Sequence, residues 1–262
     1  MTTTTQSNPT GTRDVTASIA PQNCGGGEQT FVFAIGQFRP YFATLDLQHE
    51  FNAASQTIKA TKGDYYAVFS HTISAPGESQ LSVHPYAYLA EQACWVFTIN
   101  DVDSYLMVPS SEIVLNAFIS ALNPSLAPSA VTLCGMLGPK APASYCGNLN
   151  LPLVMTSNLL TLDQQQSELL PIKANSGISD ADRAVNFLMT QLPSLSQQQS
   201  LNLTSLQSLS FQFSTAVDNR TVVEVILGFN QNGINNFYAC GIDVSDQNPF
   251  LTFPLRTFVP AN

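Results

Sequence analysis

Charge is what this sequence has least of. Charged residues make up 10% of the chain, against a usual share of about 25%, and the nine Lys and Arg are scattered singly. No basic patch exists to neutralise phosphates, which disfavours nucleic acid and an anionic membrane surface as partners. The apolar runs stop well short of the roughly 18 residues that a spanning helix needs. The start, MTTTTQSNPT, has neither the basic residues nor the apolar stretch of a secretory signal. A cytoplasmic protein is expected, and the sequons at Asn202 and Asn219 read as chance matches. The formal net charge of -9 would welcome a basic peptide, although the simpler reading is solubility for a charge-poor surface.

Catalytic and ligand signatures are missing too. There is no GxSxG elbow, Walker loop, GxGxxG turn, CxxC pair or EF-hand loop. His49-Glu50 begins like a zinc-peptidase HExxH, but Ala53 stands where the second His belongs. No catalytic residue, metal ligand or cofactor is therefore expected. The five cysteines, Cys24, Cys94, Cys134, Cys146 and Cys240, form an odd, widely spaced set. Reduced thiols, mostly buried as small apolar side chains, fit them better than a disulfide framework.

What the sequence does contain is organised around YAYLAEQACWVFTINDVDSYLMVP, residues 86–109, which holds the only tryptophan. Tyr88, Gln92, Trp95 and Ile99 recur at helical spacing, so a core helix running into a strand is predicted, with Cys94 inert within it. Residues 1–29, rich in Thr, Ser, Asn and Gly, are expected to be a flexible leader before a single domain over 30–262. Within that domain, TFVFAIGQF reads as a strand. LDLQHEFNAASQTIK reads as a helix with a local Asp start and Leu45, Phe51, Ala54 and Ile58 on one face. SSEIVLNAFISALNP and SDADRAVNFLMTQLP are capped helices; AVTLCGMLGP and LPLVMTS are strands, the latter leading into a short helix at NLLTLDQQQSELLP. SLSQQQSLN is expected to be a frayed helix or a loop. From residue 205 the period falls to two over four segments joined by turns, the mark of an antiparallel meander. Together these give an α+β fold, mainly antiparallel, with the helices packed on one face of the sheet.

Few residues invite a functional reading. Tyr86, Tyr88 and Tyr105 are candidates to line a peptide groove, although aromatic core is the simpler account. Cys24, beside three glycines, and Cys146, in a glycine-bearing loop, are the candidate reactive thiols, with His71 or His84 as base for the second. Cys134 and Cys146 with His49, His71 or His84 would be needed for zinc, but no short-range ligand pair supports it. Asp101 and Asp103 read as solvated turn formers before a carboxylate pair.

One resemblance adds to this. FAIGQF, YLAEQACWVFTIND with SYLMVP, LGPKAPASYCGNLNLPLV, DADRAVNFLMTQLP, VVEVILGF and DVSDQNPFLTFPL occur in an order that covers roughly residues 30–258. This series resembles the C-terminal domain of unknown function of the two subtilisin-like proteases of cyanobactin (patellamide-type) maturation. The resemblance implies a setting in the biosynthesis of ribosomally made, post-translationally modified peptides. Such domains usually follow a protease, for which this chain has no room, so a freestanding copy is expected. Its expected role is accessory and non-catalytic, binding precursor peptide or a partner enzyme, with the exposed edge of the meander as one docking surface. The alternatives are a tailoring enzyme whose thiol or metal site assembles only in the fold, and a structural homodimerisation module.

Overall fold

A computed structural model of the chain describes residues 29–74, 82–126, 130–162, 173–214, 220–231 and 233–259. The expected leader at 1–29, with Cys24, lies outside them but for its last residue. In order, the elements are β1 (Phe31–Tyr41), α1 (Leu45–Thr57), α2 (Tyr65–Phe69), β2 (Ile73–Ser74), β3 (Ser82–Val83), α3 (Ala87–Gln92), β4 (Cys94–Ile99) and β5 (Val102–Pro109). Then come α4 (Glu112–Ala121), β6 (Ala130–Lys140), β7 (Pro152–Leu162), α5 (Asp180–Gln199), β8 (Leu206–Ser214), β9 (Val222–Gln231), β10 (Ile234–Asp243) and β11 (Phe250–Phe258). The α+β class stands, but the strands make two main sheets. Strands β1, β4, β5, β7 and β6 close into a barrel in that order, and β11, β10, β9 and β8 form the meander.

In the barrel every neighbour is antiparallel except β5 and β7, which run parallel. A parallel pair needs a crossover, and the intervening α4 and β6 supply it. Ser111 caps α4 by accepting from the Val114 N–H, as its sequence predicts. Thr44, rather than the expected Asp46, caps α1. Leu45 turns out to solvent at 75% exposure, because it sits in the first turn, outside the stripe of Phe51, Ala54 and Ser55 that packs inward.

The segment 86–109 divides earlier than helical spacing suggests. Its helix ends at Gln92, and Trp95 lies on β4, where side chains alternate between two cores. Trp95 and Phe97 enter the main core with Phe69 and Phe118; Cys94 and Val96 face a smaller cluster with Leu106 and Leu153. A strand buried on both faces reads as a continuous apolar run, and at this length such a run also matches helical spacing. The Trp95 indole donates to the Ala90 carbonyl at 3.1 Å, tying the strand back to the helix before it.

The predicted helix at NLLTL is instead the end of β7, paired with β6 as far as Ala130–Leu162. Helix α5 is longer than expected. Capped by Ser179, it runs through Pro193 and the polar SLSQQQ, with Leu192, Leu195 and Ser196 still buried. It closes at Ser200, whose φ of 53° is left-handed.

Among the described residues α5 is the α-helix that covers the meander, whereas α1–α4 share the main core with the barrel. Ala184, Leu188, Met189 and Leu192 pack on Val223, Val225, Leu227 and Ile242. The same helix reaches the barrel. Asn186, fully buried, donates to the Phe33 carbonyl, and Phe187 meets the Phe33 ring edge-on at 6.1 Å. Between the two runs a short strap in which Phe33 donates to the Gly177 carbonyl and Ile35 exchanges bonds with Asn175. Gly177 has φ +60°, and a Cβ there would lie 2.1 Å from the Phe33 carbonyl carbon, so the approach requires glycine.

Candidate functional site

The three tyrosines do not assemble into a groove. Tyr105 is 5% exposed, its ring in the barrel core and its hydroxyl donating to the Ser176 carbonyl at 3.1 Å; burial raises its pKa. It therefore cannot line an open surface. Tyr86 packs against the main core and stacks on His71 with ring centroids 5.8 Å apart. Tyr88 alone is exposed, and it donates to Glu50 at 3.1 Å. Burial, then that bond and the Glu50 charge, raise its pKa. Its hydroxyl is spent on holding α3 to α1.

The expectation of reduced thiols is corrected at two positions. Cys94 and Cys146 form a disulfide with Cα atoms 5.7 Å apart, 52 residues apart in sequence. Cys146 is thus not a free nucleophile, and its sulfur is withdrawn from any zinc set. The bond pins the loop 141–151 onto the outer face of the barrel, where Ala141, Leu153, Tyr145 and Leu149 complete the smaller cluster. An odd cysteine count and wide spacing carry no sign of this pairing; the fold brings the two Cα atoms within bonding range. Cys134 and Cys240 are free and buried. Burial raises the Cys134 pKa, partly offset by Ser157 and Arg183, and pushes Cys240 up to about 12, with Glu224 adding to it. Neither is a thiolate near neutral pH, so neither has the activated character that nucleophilic catalysis needs. Among the described residues no three His, Cys, Asp or Glu side chains gather as a metal set. His49 and His84 are exposed.

Asp101 and Asp103 part company. Asn100 and Asp101, both at left-handed φ (50° and 64°), form the two-residue turn between β4 and β5, the conformation that a tight hairpin demands. Asp103 accepts from Arg39 at 2.8 and 3.1 Å. Both sit beside an open depression of about 710 Å³, lined by Gln37, Phe38, Arg39, Thr98 and residues 101–103. The pair is solvent-exposed and contributes at most about 1 kcal/mol. With Arg39 already neutralised, the depression offers shape and hydrogen bonds but no concentrated charge.

Where α5 meets both sheets there is a buried polar junction. Arg183, 4% exposed, donates to the Val244 carbonyl at 2.5 Å and to that of Asp246, and lies 5.3 Å over the Phe31 ring. Burial lowers its pKa, while Asp180 supports the charge. Close by, the Cys134 thiol reaches the Gln247 carbonyl at 3.3 Å. This junction fixes the barrel against the meander and is closed to ligands.

The meander has two edges of different character. Strand β11 carries Pro254 and Arg256 and pairs irregularly with β10; the Arg256 guanidinium covers the Phe253 ring at 4.0 Å. Such features blunt an edge. Strand β8 has no charged residue and no proline, and Phe211 and Phe213 are 48% and 59% exposed, their rings 6.1 Å apart. Among the described residues β8 carries neither the proline nor the charge that blunts β11, so this edge is open to another chain.

Comparison with known proteins follows the same division. The family model of the PatG domain matches residues 31–204, and that of the PatG C-terminal region matches 164–258. A solved structure described as a PatG domain of unknown function is similar in fold, with a TM-score of 0.63 at 13% identity, over 87% of this chain and 98% of that one. No curated protein matches.

Proposed function

The chain belongs to the PatG-domain family, which relates it to cyanobactin biosynthesis, and on that premise we propose that it is an accessory, non-catalytic protein that binds precursor peptide or a partner enzyme of the pathway. The two family models, which together match residues 31–258, carry this reading. The chemistry of the side chains agrees with it: the described thiols are either bonded or buried with raised pKa values, and the one paired carboxylate in the depression is neutralised by Arg39. The open edge of the meander supplies a surface on which a peptide could be held.

We place the protein in the cytoplasm, where precursor peptide is made. No helix among the described residues is long and apolar enough to cross a membrane. Disulfides are rare in that compartment, and the burial of Cys94 and Cys146, at 6% and 5% exposure, is what would shield theirs from reductant.

Calorimetric titration against precursor peptide and purified pathway enzymes tests the proposal. Saturable binding to at least one is expected, with the peptide mass unchanged after incubation with and without added metals. Absence of binding to every one at high micromolar concentration overturns accessory binding. A changed peptide mass overturns the non-catalytic part.

A further inference from the structure

We propose that the outer edge of β8 docks an extended, uncharged peptide segment carrying apolar side chains at alternate positions, by adding it as a fifth strand to the meander. The inference deepens the peptide-binding reading and takes from it only the source of the peptide.

Among the described residues β8 pairs with β9 alone, so roughly half of its backbone N–H and C=O groups point away from the sheet. Its side chains divide cleanly between faces. Leu209, Phe211 and Phe213 stand beside Leu227, Val225 and Val223 on the face that α5 covers. The helix stops short of the edge, which leaves both phenylalanines about half exposed. An added strand would set its own alternate side chains against this aromatic step, the neighbour contact that stabilises sheets. The other face of β8 presents Ser208, Ser210, Gln212 and Ser214, all neutral.

Charge selects the segment. The nearest ionised group across β8 is Glu224, whose oxygens are engaged by Gln212 at 2.5 Å and Arg256 at 3.6 Å. No cation on the strand could meet a carboxylate, and the net charge of -9 repels acidic chains. Size argues for a peptide over a second copy of this chain. A nine-residue edge and two half-exposed phenylalanines offer roughly 200 Å² of aromatic surface per chain, while stable dimers bury about 1,200–2,000 Å² in total. Strand addition of a short peptide draws its affinity from main-chain hydrogen bonds and has no such requirement.

Fluorescence anisotropy of the full chain with a labelled nonapeptide of alternating Val and Thr, its termini blocked and uncharged, tests the edge. Saturable binding is expected. It should weaken at least about tenfold when adjacent central residues of the peptide become proline, and equally in Phe211→Lys/Phe213→Lys, because lost donors and edge lysines both oppose pairing. Thr257→Lys on β11 should leave affinity unchanged. Equal binding by the double lysine variant, or none by the native chain at about 1 mM peptide, overturns the proposal. Dimerisation of the native chain in light scattering, abolished by the lysines and untouched by peptide, would also overturn it, in favour of a second copy. Should the double variant misfold, amide exchange in the native chain decides: residues 206–214 must slow when the nonapeptide is added, and unchanged exchange there sinks the edge. Precursor peptide separates the two levels. If it binds native and lysine forms equally, the edge fails and the accessory reading stands; if only the nonapeptide binds, at β8, the reverse holds.

Discussion

The carboxamide of Asn186, with no exposed surface, donates to the main-chain carbonyl of Phe33 at 2.6 Å. It also exchanges hydrogen bonds with Asn175 at 2.7 and 3.1 Å, so one side chain of α5 secures both β1 and the strap beside it. Asn186→Leu leaves these partners buried and unmatched, and is expected to cost about 1–3 kcal/mol. A urea midpoint equal to that of the native chain would show the network to be dispensable.

Trp95 meets Phe38, Phe69 and Phe118 at 5.9, 6.0 and 5.3 Å and bonds Ala90 besides. Trp95→Ala opens a cavity in the main core and should lower stability by about 3–5 kcal/mol. Trp95→Phe retains most of the ring contact and should cost clearly less. Thermal unfolding of the two variants side by side reads the difference, and equal losses would assign the effect to the lost indole donor.

The Cys94–Cys146 bond closes a long loop, and Cys94→Ala/Cys146→Ala is expected to lose about 2–4 kcal/mol. Mass spectrometry after alkylation in denaturant should label Cys134 and Cys240 directly, and Cys94 and Cys146 only after reduction. Direct labelling of all four in protein taken from cells would show the pair reduced there.

Asp243 sets an acid limit. Burial pushes its carboxyl pKa up, but hydrogen bonds from Arg220 and from the Ser245 N–H and hydroxyl, with the Arg220 charge, outweigh that and leave it below the usual value. The stabilisation it provides is present above the unfolded pKa of about 3.9 and is lost as pH falls through the lower folded value. Asp243→Asn should therefore be less stable than the native chain near about pH 6, with the gap narrowing below about pH 4. A gap in urea midpoint that stays constant from about pH 6 to about pH 3 would remove the carboxylate from the account.

Local signals carried much of this fold. Ser111 and Ser179 announced their helices through the cap bonds they make, and the two-residue period after 205 announced the meander. What stayed hidden depends on tertiary partners. Trp95 matches helical spacing from Tyr88 only because β4 is buried on both sides and so apolar throughout. Pro193 and the glutamines after it argue against a helix, yet Leu192 and Leu195 on either side have the meander to pack on, which outweighs a lost hydrogen bond. The barrel rests on a parallel pairing between β5 and β7, for which no nearby turn exists to be read. Of the candidate site residues, Tyr105 and Cys146 looked available because exposure and bonding are set by distant segments: the Ser176 carbonyl for one, Cys94 for the other.

Helix α5 lies wholly inside residues 164–204, the stretch that both family models claim. It belongs to two neighbours at once, giving its apolar stripe to the meander and Asn186 with Phe187 to β1. Any split of the gene on one side of this helix strips a flank from one half or the other, leaving bare apolar surface on whichever piece goes without. Barrel and meander are therefore expected to be stable only when they are made as one piece.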